Sequence, residues 1–180
     1  LGDVYKRQLI YNELRKKNIV IPQKIQREKS EKFEGAYVKD PIVGLHKWVM
    51  SFDLNSLYPH LIMQYNISPE TLVADEKVKN MSVEKLLNKE VDTSILKDAT
   101  MTPNGALFKT TQKGFLPELM QKMYDDRVKF KQLMIEAQKD YEKTKDPKLQ
   151  KTIAKFNNIQ MAKKISLNSA YGAIGNVWFR

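Results

Sequence analysis

The spacing of apolar positions changes along this chain, and each change predicts an element. Leu9, Ile10, Leu14 and Ile19 stand among charged residues at helical intervals, which predicts a helix over 9–20. Ile21-Pro22 then leads into a basic stretch ending at Lys32, read as an exposed connector. An extended segment starts at Gly35-Ala36-Tyr37-Val38, and the apolar run Trp48-Val49-Met50-Ser51-Phe52-Asp53 suits a buried strand closed by its aspartate. Ser56 in a capping position, Pro59 in a first turn, and Leu61, Ile62 and Met63 after it predict a sharp turn and a short helix.

Between residues 66 and 113 no single period dominates. A loop at Asn66–Thr71, a modest helix near Val83–Asn88 and a turn at Thr102-Pro103-Asn104-Gly105 joining two strands are the expectations there. A helical period returns with Leu116, Met120, Met123, Arg127, Phe130, Met134 and Ala137, predicting a helix from Pro117 to about Lys143. Asp146-Pro147 breaks it, and Leu149, Ile153, Phe156 and Ile159 mark a second helix to about Ala170, ended by Tyr171-Gly172. Two long helices joined by a short polar turn predict an antiparallel hairpin, and the whole reads as α+β without repeats or low-complexity tracts.

Charge sharpens this picture because it is uneven. The net charge is +10, with residues 1–32 at +5, residues 33–113 at −1 and residues 114–180 at +6. A basic chain of pI near 9.6 favours an acidic partner, nucleic acid ahead of a membrane surface, since no apolar run approaches spanning length. The lack of cysteine excludes disulfides and thiolate metal sites and suits a reducing cytoplasm. No secretory signal is present. With no initiator Met and no tail-like composition at Trp178-Phe179-Arg180, the 180 residues read as part of something longer, and Leu1–Gln8 is set aside as a segment that cloning or sequencing can contribute.

Three features could carry chemistry, and each has an ordinary alternative. Asp53 puts a carboxylate beside the free amides of a new helix: amides there favour phosphate and the carboxylate a hard cation, or the acid simply caps the junction. Arg127 and Lys131 share one helix face, as do Lys164 and Asn168 beside Lys163, so a hairpin can converge them on one anion or leave them as a solvated surface. In "KKISLNSAYGAIGN", residues 163–176, Gly172 is either a C-cap or a point of close approach for a base pair or sugar.

These stretches resemble a known family. Asp53-Leu54-Asn55-Ser56-Leu57-Tyr58-Pro59 matches the D-x-x-S-L-Y-P motif A of family B DNA polymerases, and Lys164-Ile165-Ser166-Leu167-Asn168-Ser169-Ala170-Tyr171-Gly172 matches their motif B, K-x-x-x-N-S-x-Y-G. Order and separation agree, and the resemblance covers about residue 20 to the end. Asn66-Ile67-Ser68-Pro69-Glu70-Thr71 and Gly175-Asn176-Val177-Trp178-Phe179-Arg180 look most like the tailed-bacteriophage branch.

The resemblance implies a role for each matching position. Asp53 would be the first of two metal-binding, catalytic palm aspartates, with the Leu54 carbonyl facing the same metal. The amides of Ser56 and Leu57 would hold an incoming triphosphate, and the Tyr58 ring would leave no room for a ribose 2′-hydroxyl. Arg127, Lys131, Lys164 and Asn168 would grip the β- and γ-phosphates, with Lys164 the candidate proton donor to pyrophosphate, while Tyr171 and Gly172 pack against the nascent base pair. Phosphoryl transfer needs in-line positioning and charge neutralisation more than covalent help, and two Mg2+ ions supply much of both.

The chain also departs from the pattern. His60 stands where most relatives have Ser and reads as a packing or surface variation. Phe33-Glu34-Gly35-Ala36 only loosely resembles the linker motif between exonuclease and polymerase regions. No Asp-Thr-Asp triplet supplies a second palm aspartate, and proofreading exonuclease motifs and a thumb are not found. The expected layout is a connector over 1–32, a partial palm over 33–113, a fingers hairpin over 114–176 and a return toward the palm over 177–180. That describes a fragment of the right-hand polymerase fold, inert by itself and poorly soluble through exposed sheet edges. The expected partners are primer-template DNA and deoxynucleoside triphosphates, with a sliding clamp and other replisome proteins as further candidates and no membrane, in the host-cell cytoplasm. The competing class is a noncatalytic nucleic-acid-binding module derived from a polymerase.

Overall fold

The structure, a computed structural model, describes residues 2–21, 37–78, 81–92, 94 and 96–175. The connector beyond Ile21, the linker-like Phe33–Ala36 and the return at 177–180 lie outside them. The chain divides into two units, one of Leu1–Asn55 with Ala173–Arg180 and the other Ser56–Gly172.

In the first unit, α1 spans Gly2–Lys16, so it takes in the set-aside Leu1–Gln8 almost whole and stops short of the expected residue 20. Asn18 explains the early stop. It adopts a left-handed conformation at φ 55° while Ile19 N–H donates to the Leu14 carbonyl at 3.0 Å, a C-terminal cap that turns the chain out of the helix. The expected strand over Trp48–Asp53 does not form: these residues have no regular structure, and Trp48 is 98% exposed with φ 60°. Apolar side chains do not make a strand without a neighbour for its sideways amides and carbonyls, and no described segment pairs with this one.

The second unit begins with α2, Leu57–Gln64, which buries Pro59 and Ile62. Its apolar face packs on α4. A three-stranded antiparallel sheet follows, with β1 (Leu72–Lys77), β2 (Ala99–Met101) and β3 (Ala106–Lys109) in the order β1-β3-β2, and the short helix α3 (Val83–Leu87) between the first two. The predicted turn at 102–105 does join two strands, pairing Met101 with Leu107 and Thr100 with Phe108. Gly105 is required there: its φ is +82°, and an added Cβ would overlap the Val78 carbonyl.

The hairpin consists of α4 (Phe115–Thr144) and α5 (Pro147–Gly175). Phe115, Leu119, Met120 and Met123 bury one stripe at the base of α4. Between the helices Lys145 turns left-handed at φ 58°, Asp146 Oδ1 accepts from Lys148 N–H at 2.9 Å, and Pro147 occupies the first helical position, where its missing N–H costs nothing. Antiparallel pairing is visible in three cross-helix contacts. Asp126 meets Lys163 at 2.6 Å, the rings of Phe130 and Phe156 lie 6.1 Å apart, and Gln150 Nε2 donates to the Tyr141 hydroxyl at 2.6 Å. Contrary to expectation, α5 does not end at Tyr171-Gly172 but continues to Gly175, because one glycine costs a helix only about 1 kcal/mol.

The loop 66–71 proves to be the cap of α4. Gly114 precedes the helix without a side chain to offer its free amides. The amides are met from a distance: Asn66 Oδ1 accepts from Gly114 N–H at 2.8 Å, Glu70 from Phe115 N–H, and Ser68 Oγ from Leu116 N–H at 3.3 Å. Asn66 also donates through Nδ2 to the carbonyls of Lys109 and Gln112, at 2.6 and 2.8 Å. A Cβ on Gly114 would sit 2.6 Å from that of Ser68, so the loop and the helix start fit only with glycine between them.

Candidate functional site

Ser56 links the turn before α2 to α4. Its backbone is left-handed, φ 53° and ψ 48°, and its side chain does not cap α2 as the sequence suggested. Instead Ser56 Oγ accepts a hydrogen bond from the Arg127 guanidinium at 2.9 Å. A residue at the N-terminus of a helix thereby meets a cation from a helix more than seventy positions away. Arg127 Nε is buried without a partner, and no carboxylate pairs with this guanidinium among the described residues. A half-buried guanidinium with a donor left over and no paired carboxylate can receive an anion, because a charge partly withdrawn from water gains from a counter-charge.

The second link is aromatic. Tyr58 of α2 and Tyr171 of α5 stack face to face, with centroids 4.4 Å apart and planes within 3°. Each remains about two-fifths exposed, at 40% and 41%, so the pair offers a flat apolar wall beside open space. Gly172 follows Tyr171, and nothing lies within 4 Å of where its Cβ would be. Leu57, 42% exposed, shares the first turn of α2.

The remaining cations are placed less tightly. Lys131 lies one turn beyond Arg127 on α4, and Lys164 and Asn168 lie one turn apart on α5; all three are exposed. Lys163, offered by the sequence as part of the same anion-binding face, is engaged elsewhere. Its ammonium binds Asp126, joining the two helices, so it is a cross-hairpin tie. Asp53 and Leu54 belong to the other unit and are exposed, Leu54 at 71%.

Two contacts had no sequence signal. His60 Nδ1 donates to the Ser56 carbonyl at 2.9 Å, and the ring meets Tyr124 edge to face at 4.7 Å. Asp126 was invisible as a partner because the pairing depends on the hairpin register.

A helix start carrying Ser-Leu-Tyr, an arginine held against it with unspent donors, and an aromatic pair shared with the K-x-x-x-N-S-x-Y-G helix thus come together within one unit. The match to the family model described as DNA polymerase family B covers residues 5–177, and the chain belongs to that family. It is phage-like: it is 31% identical to the DNA-directed DNA polymerase of Escherichia phage RB69 and 29% identical to that of Enterobacteria phage T4, in each case over 96% of this chain and 23% of the relative. It is also 33% identical to the DNA polymerase delta catalytic subunit of Arabidopsis thaliana, over 89% of this chain and 13% of that protein. The chain thus spans under a quarter of the length of these relatives.

Metal ions used by such enzymes need several oxygen ligands. Among the described residues no group of three or more His, Asp or Glu gathers. Nor is any helix among them long and apolar enough to cross a membrane.

Proposed function

We propose that this chain carries the nucleotide-binding part of a replicative DNA-directed DNA polymerase, a partial palm over 33–113 and fingers over 114–176. The observation that carries the proposal is the Arg127 guanidinium, bonded to Ser56 and left with a buried, unpartnered Nε. In this role the triphosphate of a deoxynucleotide lies against the Ser56 and Leu57 amides, and Arg127, Lys131, Lys164 and Asn168 neutralise its β- and γ-phosphates. Lys164 donates the proton that departing pyrophosphate needs. Tyr58 bars a 2′-hydroxyl from the sugar position, and its stack on Tyr171 ties sugar selection to the residue that, with Gly172, packs on the nascent base pair.

Magnesium, when bound, would activate a primer 3′-hydroxyl and stabilise the leaving group. Asp53 and the Leu54 carbonyl would hold it in this chain, and in this reading the second palm carboxylate belongs to another segment of the polymerase. Similarity to the DNA-directed DNA polymerases of phages RB69 and T4 supports a role in viral DNA replication; primer-template DNA is the substrate in this reading, with a sliding clamp and other replisome proteins as further candidate partners.

Equilibrium binding of a fluorescent deoxynucleoside triphosphate in magnesium tests the proposal. Arg127→Ala and Lys164→Ala should each weaken binding about tenfold, the effect of removing a charge-assisted hydrogen bond, with DNA binding unchanged. Equal nucleotide affinity in both variants would favour a noncatalytic nucleic-acid-binding module. In a templated extension assay the 180-residue chain should add no nucleotides, and robust extension would refute the incomplete metal site.

A further inference from the structure

We infer that His60 is a positioning residue, which holds the Ser56 turn against α4 and so aims Arg127 at the triphosphate. The inference rests on the nucleotide-binding reading of Ser56 and Arg127 given above. The turn needs holding, because a left-handed residue with a side chain is disfavoured and Ser56 spends its hydroxyl on Arg127 rather than on capping α2. What holds it is His60. The Ser56 carbonyl accepts from the His60 backbone N–H at 3.1 Å and again from His60 Nδ1 at 2.9 Å. A carbonyl can only accept, so the ring proton in this bond is on Nδ1.

The other side of the imidazole is fixed as well. It meets the Tyr124 ring at 4.7 Å and 82°, an edge-to-face arrangement that sets its plane. Tyr124 lies three residues before Arg127, on the same face of α4. The contacts therefore close a circuit: Ser56 carbonyl to His60, His60 to Tyr124, Tyr124 along α4 to Arg127, and Arg127 back to the Ser56 hydroxyl. Removing the imidazole opens the circuit at two of its links, and the turn against which Arg127 is braced loosens.

The test reads Arg127 directly. In nitrogen-edited NMR of the 180-residue chain, the buried Arg127 Nε–H should give a sharp, slowly exchanging signal that is lost in His60→Ala. His60→Ser should restore it only in part, since a serine in a helix can donate to the carbonyl four residues back but offers no ring to Tyr124. Tyr124→Leu attacks the circuit from the opposite side and should also lose the signal, which keeps the test decisive if His60→Ala misfolds. A merely structural role predicts a shifted unfolding midpoint with the Arg127 signal intact, and an unchanged signal in both variants overturns the inference.

Affinity for magnesium deoxyadenosine triphosphate separates this inference from the one beneath it. His60→Ala should weaken binding about three- to tenfold, the range for one lost hydrogen bond, and His60→Ser should recover part of the loss. If Arg127→Ala leaves affinity unchanged while His60→Ala still frees the Arg127 signal, the nucleotide-binding reading fails and the positioning role stands. If Arg127→Ala weakens binding but His60→Ala alters neither readout, the positioning role fails alone.

Discussion

Residues 37–55 and 56–71 are consecutive in the chain, and the first stretch is no less apolar than the second. Their fates differ. Pro59, Ile62, Asn66, Ser68 and Thr71 are buried, whereas Val43, Leu45, Trp48 and Phe52 are 85–98% exposed. The second stretch meets α4, whose buried stripe and uncapped amides need what it offers: apolar side chains from α2 and oxygens from Asn66, Ser68 and Glu70. The first stretch meets no described segment that pairs with it. Hydropathy prepares a segment for burial, but a complementary partner decides it.

The largest effect that would break this contrast lies in the hairpin. Leu167 is fully buried, and Leu167→Ala should cost about 2–5 kcal/mol, the range for a core leucine truncated to leave a cavity; urea denaturation followed by circular dichroism reads it. Asn66→Ala comes next, at about 1–3 kcal/mol, because a buried amide and two carbonyls lose their partner together while no comparable cavity opens. A change below 0.5 kcal/mol, roughly the scale of a neutral surface substitution, would show that the loop does not cap α4 in solution. The smallest effect is expected on the exposed side. Phe52→Ser should alter stability by no more than about 0.5 kcal/mol and raise solubility, as judged by light scattering. A loss comparable to that of Asn66→Ala would mean that residues 37–55 are packed after all.

The local elements were legible because their signals are local. The α4 period, the Asp146-Pro147 break, the helix near Val83 and the turn at 102–105 each depend on spacing or on turn chemistry within a few residues. Failures came where the outcome depends on something distant. The strand over 48–53 needs a neighbour, whereas the end of α1 is a local exception, set by one left-handed asparagine. Ser56 looked like a cap, since serine before a helix usually is one, until Arg127 claimed its hydroxyl.

By itself the sequence determined the family resemblance, the α+β class, the hairpin and a list of candidate residues, because motif spacing and apolar period are properties of the chain. Only the tertiary structure decided which of those residues meet. It brought Arg127 to Ser56 and Tyr171 to Tyr58, diverted Lys163 to Asp126, and tied His60 to both Ser56 and Tyr124. Side-chain partners across elements are set by helix register and packing, to within a single rotamer, and no one-dimensional pattern encodes that directly.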